Sequence, residues 1–193
     1  MAQQADLSGI LPGDRWAYEV TDEVSGDLKQ TTSVVVLSVS DKEINARVMN
    51  RGEQRPIQIA YDRNWNRLDD EAWKYLPSDG TGIQIPLQVG KEWRYNNKAS
   101  NFGSGTTVSR AGQSKVVAQE SVTTPAGSFD TFKIESTIRQ INSTDYTKAA
   151  TVTSTMWYAP TVNRWVRKVS KLEIEGRLRE ALTEELTDYS RKP

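Results

Sequence analysis

Apolar and polar residues change places at every second position over most of this chain. In Thr131–Arg139, Phe132, Ile134, Ser136 and Ile138 fall on one side, and Thr131, Lys133, Glu135, Thr137 and Arg139 fall on the other. That is the period of a strand with one buried face. Trp16, Tyr18 and Val20 share a face in the same way, as do Ile44, Ala46 and Val48, and Ile57, Ile59 and Tyr61. Turn-forming residues punctuate these runs at Ser25-Gly26-Asp27, Ser40-Asp41-Lys42, Asn50-Arg51-Gly52, Pro77-Ser78-Asp79-Gly80, Pro125-Ala126-Gly127 and Glu175-Gly176. Gly, Asn, Asp and Pro supply the backbone angles that a reversal needs. Many strands at short spacing predict an all-β antiparallel meander.

Three stretches need separate argument. Leu178, Leu182, Leu186 and Tyr189 fit a helix, but the three leucines also fit one face of a strand. Leu172 and Ile174 ahead of Gly176 favour a hairpin, so Arg177–Ser190 is expected to be a strand. Asn97–Gly112, rich in Asn, Ser, Gly and Thr, reads as a mobile loop within a long hairpin connection, not as a domain boundary. Gly13-Asp14-Arg15-Trp16-Ala17-Tyr18 returns as Gly90-Lys91-Glu92-Trp93-Arg94-Tyr95, each copy followed by a Val-rich strand, Val34–Val36 and Val116–Val117. The echo suggests two similar halves, 13–89 and 90–190, within one β domain that follows a flexible segment, 1–12.

Composition narrows the chemistry. The 193 residues include no His and no Cys, which excludes a Ser-His-Asp triad, a thiol nucleophile, thiolate or imidazole metal ligands, and disulfides. Lys+Arg and Asp+Glu number 25 each, so no net charge draws the chain to nucleic acid or an anionic membrane. No apolar run approaches the roughly 18 residues of a membrane-spanning helix. Met1-Ala2-Gln3-Gln4-Ala5-Asp6 has the look of a mature terminus left by signal-peptide removal, with Met1 added, so export is expected.

Six Trp and seven Tyr are the main candidates for function, because flat rings give contact area at small entropy cost. Trp16 and Trp93, in period with Tyr18 and Tyr95, are expected to fill the core. The expected ligand-binding residues are Trp65, Trp73, Tyr75, Trp157 and Trp165; Trp65 and Trp73 lie in a polar stretch where burial is less automatic, and Trp165 lies between Arg164 and Arg167, whose stems offer it cover. Asp62-Arg63-Asn64-Trp65-Asn66 looks like the start of a calcium loop, but Arg67 and Trp73 stand where a Gly and a Glu are required, so a hairpin tip is expected and no metal. Asp69, Asp70 and Glu71 are sequence neighbours that alternate across a strand, so they do not form the carboxylate pair of a glycosidase. Asn142-Ser143-Thr144 reads as a turn. No catalytic residue and no cofactor is expected.

The strings GDRWAYEV (13–20), VGKEWRY (89–95), SVTTPAGSFDTFKIE (121–135) and MWYAPTVNRWVRKV (156–169) resemble an uncharacterised family of exported bacterial all-β proteins. Two departures are Asn163, where that pattern has a hairpin Gly, and Trp165, where it has a smaller aliphatic. The family's folds are similar to the lipoprotein carriers LolA and LolB. The resemblance implies a curved antiparallel sheet of nine to eleven strands, a half-barrel around an apolar cavity, in a periplasmic protein that holds a lipid or acyl chain. The alternative is an envelope protein–protein interaction module that docks its partner through an exposed strand edge or Trp-bearing loops. The resemblance brings no catalytic residues with it.

Overall fold

The structure, a computed structural model, describes residues 9–191. Twelve strands follow one another: β1 (Arg15–Asp22), β2 (Leu28–Val39), β3 (Glu43–Asn50), β4 (Ile57–Asp62), β5 (Arg67–Asp69), β6 (Trp73–Leu76), β7 (Glu92–Asn101), β8 (Thr107–Thr124), β9 (Gly127–Asn142), β10 (Ala149–Ala159), β11 (Arg164–Ile174) and β12 (Arg177–Ser190). Each pairs antiparallel with its sequence neighbour, and β1 pairs with β12, from Arg15↔Ser190 to Asp22↔Leu182.

The sheet is therefore a closed barrel of twelve strands, not the expected half-barrel of nine to eleven. Alternation specifies one inner and one outer face per strand, and both architectures satisfy it. What differs is the pairing of the first and last strands, together with two very short strands, β5 and β6, in the polar stretch after Asp62. Closure also removes the free strand edge on which the interaction-module alternative partly relied.

Several local expectations hold. Arg177–Ser190 is a strand, joined to β11 by the Glu175-Gly176 turn, with Leu186 buried inside. Pro125-Ala126-Gly127 reverses the chain from β8 into β9, with Gly127 at φ 133°. The two G-x-x-W-x-Y copies make the same hydrogen bonds. Gly13 N–H donates to the Val36 carbonyl and Val36 N–H to that of Asp14 (2.8 and 2.9 Å); Gly90 N–H donates to Val116 and Val116 N–H to Lys91 (2.8 and 2.9 Å). Gly13 and Gly90 take φ 93° and 90°, which a residue with a Cβ adopts only under strain.

Asn97–Gly112 behaves differently from the mobile loop expected of it. It lies almost wholly in β7 and β8, which meet at a short turn over 102–106. Its polarity reflects a polar lumen, because Asn97 and Arg110 face inward. Of the segment 1–12, residues 1–8 lie outside the described residues, and Ile10 is buried in the core.

The two ends of the barrel differ. At one end indoles tie the turn after β10 to β1 and to the Asp62–Asn66 turn: Trp16 Nε1 donates to the Val162 carbonyl (2.9 Å) and Trp65 Nε1 to that of Asn163 (2.8 Å). Ile10, Ile83, Leu87 and Val162 complete this packed end. Register breaks at Ala17/Tyr18, Val36/Ser38, Val116/Ala118 and Trp157/Tyr158 bend the strands near the same level. The outer face of β9 carries Lys133, Glu135 and Arg139, not the apolar band of a membrane barrel. Among the described residues no helix is long and apolar enough to cross a membrane.

Candidate functional site

Inside the barrel, above the packed end, lies a cavity of about 460 Å³. This falls within the size range of small-ligand sites. Alternation supplies an apolar wall, including Val34, Val48, Ile59, Ile138, Val152 and Met156. Set into that wall are four cationic side chains, Arg67, Arg110, Arg164 and Lys168, and two carboxylates, Asp79 and Glu184.

Arg164 sits at the floor. It opens β11 directly after Asn163, whose φ of 54° lets the turn close without the Gly of the resembling pattern. Its guanidinium carbon lies 4.1 Å from the ring centre of Trp165, 4.5 Å from Trp65, 5.3 Å from Trp16 and 5.6 Å from Tyr61. Arg164 is 1% exposed, and its Nε and Nη1 have no hydrogen-bond partner among the described residues. Glu184, on the same wall, lies 3.9 Å from Lys168 Nζ and accepts from Trp165 Nε1 at 3.4 Å. Tyr18 stacks on Trp165 and donates its hydroxyl to the Trp165 carbonyl (2.9 Å). Burial drives the Tyr18 phenol well above the ordinary tyrosine range, against the opposing pull of the Arg164 charge.

A second polar group lies on the β5–β8 side. The Tyr75 ring is flanked by the guanidinium carbons of Arg67 (5.8 Å) and Arg110 (5.4 Å). Arg67 pairs with Asp70 (2.8 Å), while buried Asp79 accepts the backbone N–H groups of Arg67 and Thr81 (2.8 and 3.1 Å) and the Thr81 hydroxyl (2.6 Å). Arg110 reaches the Asp79 carbonyl and the Asn97 side chain at 3.4 Å, and its Nε has no hydrogen-bond partner among the described residues. Burial raises the Tyr75 phenol, with the Arg67 charge pulling it back. Beyond this group is a more open concavity of about 450 Å³, bordered by Trp73, Ala99, Val108 and Ile174; Tyr75 and Arg110 line both spaces.

Of the residues singled out from the sequence, Trp65 forms the floor, Trp165 the wall, Tyr75 the divide and Trp73 the mouth. Trp157 lies on the outside of β10, donating to Glu120 (2.6 Å) beneath the cationic heads of Lys133 and Arg167. Arg164 covers Trp165 as the flanking arginines suggested, yet its place in the lumen was missed, as were those of Arg67, Arg110 and Lys168. The available signal was register: Arg110 alternates with Val108 and Gly112, as Lys168 does with Ser170.

The other sequence candidates are occupied structurally. Asp62 accepts the N–H groups of Asn64 and Asn66 (2.8 and 2.9 Å) and the Asn66 side-chain amide (2.8 Å), which makes the hairpin tip that seats Trp65. Asp70 and Glu71 hold the β5–β6 turn through Trp73 N–H (2.8 Å) and Gln58 N–H (2.7 Å). Asn142 accepts from Thr144 and Asp145, closing the turn after β9.

Residues 85–168 match the family model described as DUF3108-like. No curated protein matches the chain. Solved structures share its fold. A candidate lipoprotein from Parabacteroides distasonis aligns with a TM-score of 0.60 at 16% identity, over 93% of this chain and 95% of that one. A candidate exported protein from Bacteroides fragilis, described as having a YmcC-like fold, aligns with a TM-score of 0.57 at 13% identity, over 99% and 100%.

Proposed function

We propose that this protein is a non-catalytic binding or carrier protein of the bacterial envelope, periplasmic in location, that holds an elongated apolar ligand such as a lipid or acyl chain inside the barrel. The observation that carries the reading is the lumen of about 460 Å³, apolar along much of its wall and packed at one end by Trp16 and Trp65. Side chains just fill a barrel of about eight strands, whereas twelve strands enclose a wider interior with room for a ligand. The fold shared with proteins described as exported or as lipoproteins supports the envelope location. The absence of His and Cys, and the use of Asp62, Asp70 and Glu71 in turns, support a role in binding rather than catalysis.

Native mass spectrometry and solvent extraction of protein purified from its own host test the proposal. The expected result is a mass excess matching one extracted amphiphile per chain. Protein that carries no ligand and leaves an added long-chain lipid unbound contradicts it. Fractionation of cells expressing the full gene tests the location, with recovery in the cytosol as the contrary outcome.

A further inference from the structure

We infer that the ligand is an anionic amphiphile whose charged head lies against Arg164 at the lumen floor, its chain running past Met156 and Val152 toward the open end. This rests on the proposed lumen site and adds the chemical class of its occupant. A guanidinium is solvated in water by several acceptors, and burying it without them is costly. Arg164 is 1% exposed, lines the cavity, and leaves Nε and Nη1 without hydrogen-bond partners among the described residues. The Tyr18 hydroxyl and the faces of Trp16, Tyr61, Trp65 and Trp165 offset part of that cost, but ring quadrupoles accept no charge-assisted hydrogen bond and Nε and Nη1 still lack an acceptor among the described residues. An anionic oxygen arriving through the lumen supplies the missing acceptor.

The rest of the wall points the same way. Four cationic side chains face two carboxylates across the cavity, in a chain whose overall charge is zero. Arg67 is taken by Asp70, and Lys168 has Glu184. Arg110 has a carbonyl and an amide oxygen at 3.4 Å and the Tyr75 ring at 5.4 Å, and no carboxylate partner among the described residues. Counting Asp70 with Asp79 and Glu184, the four cations meet three carboxylates, which leaves an excess of one positive charge around the lumen. Carboxylate and phosphate monoester heads share this chemistry.

Three amphiphiles of one chain length separate the possibilities: a fatty acid, the alkyl phosphate and the neutral alcohol, titrated below their aggregation concentrations and read by quenching of the intrinsic tryptophan fluorescence. The expected result is that one or both anions bind wild-type protein roughly ten- to a hundredfold more tightly than the alcohol. In Arg164→Met that preference falls to about unity while alcohol binding persists, and Arg164→Lys retains part of it. The stronger of the two anions identifies the head group. Equal binding of all three to wild type overturns the anion inference alone, as does an anion preference that survives Arg164→Met. Should Arg164→Met not fold, the wild-type comparison and the Arg164→Lys variant still decide. Failure of all three to bind wild type removes the lumen site itself.

Discussion

Removing the Trp65 side chain is the most direct test of how the barrel is closed at one end. Trp65 is 3% exposed, meets Trp16 edge-on at 5.7 Å and Tyr61 at 5.3 Å, and donates Nε1 to the Asn163 carbonyl at 2.8 Å. Truncating a buried Trp to Ala costs about 3–5 kcal/mol in lost transfer energy and cavity formation. The orphaned Asn163 carbonyl adds about 1 kcal/mol. The positive φ of Trp65, 63°, is no harder for Ala than for Trp, so it contributes no further difference. Trp65→Ala is therefore expected to lose about 4–6 kcal/mol, a large share of the roughly 5–15 kcal/mol that a domain of this kind has. Trp65→Phe keeps a ring against Trp16 and Tyr61 but gives up the indole N–H, and should lose about 1–2 kcal/mol. Trp73→Ala, at the half-buried mouth, should lose about 1 kcal/mol. Urea unfolding followed by circular dichroism measures all three, and each kcal/mol lowers Tm by about 2–4 °C at this size. If Trp65→Ala is no less stable than Trp73→Ala, the packed end is not built around Trp65 and the account of the lumen floor is wrong.

Three further outcomes are expected. A Cβ on Gly112 would lie 2.3 Å from the Tyr95 ring, so Gly112→Ala should cost about 1–3 kcal/mol; adding it to Tyr95→Ala should cost little more than Tyr95→Ala alone, as read by thermal melts of the four proteins. Asn163→Gly should retain the turn at φ 54° and lose about 1 kcal/mol with the Tyr158 hydrogen bond, whereas Asn163→Val should lose more because a β-branched residue is strained there; equal losses would remove the backbone explanation. Burial raises the Tyr18 phenol well above 10.0 and the Tyr95 phenol to about 12, so the native state keeps protons that the unfolded chain gives up. Their stabilising contribution is complete below pH 10 and declines as pH rises toward 12, by up to about 1.4 kcal/mol per pH unit for each group. Urea midpoints that stay constant through this range, or all seven tyrosines ionising together near pH 10 in folded protein, would contradict the burial assigned to these two.

What the chain determines locally is the identity of nearly every strand. The inward set Phe132, Ile134, Ser136 and Ile138, the strand nature of Arg177–Ser190, and the paired turns at Gly13 and Gly90 follow from side-chain alternation and from φ requirements of single residues. Closure was not legible, because the pairing of Arg15 with Ser190 joins opposite ends of the sequence and either a half-barrel or a full one satisfies the same period. The character of the interior was not legible either. Asn97 and Arg110 fall in a stretch that reads as a mobile loop, and Arg164 reads as cover for Trp165, because polarity in a sequence does not distinguish outside water from a hollow. Trp65 and Trp157 show the converse: two tryptophans of the same chemistry end up under the floor and on the outer wall, because one sits in the hairpin tip turned in by Asp62 and the other falls on the outward phase of β10. Periodicity is a property of neighbours along the chain, whereas a cavity is enclosed by residues from many strands, and only their assembly decides which phase faces in.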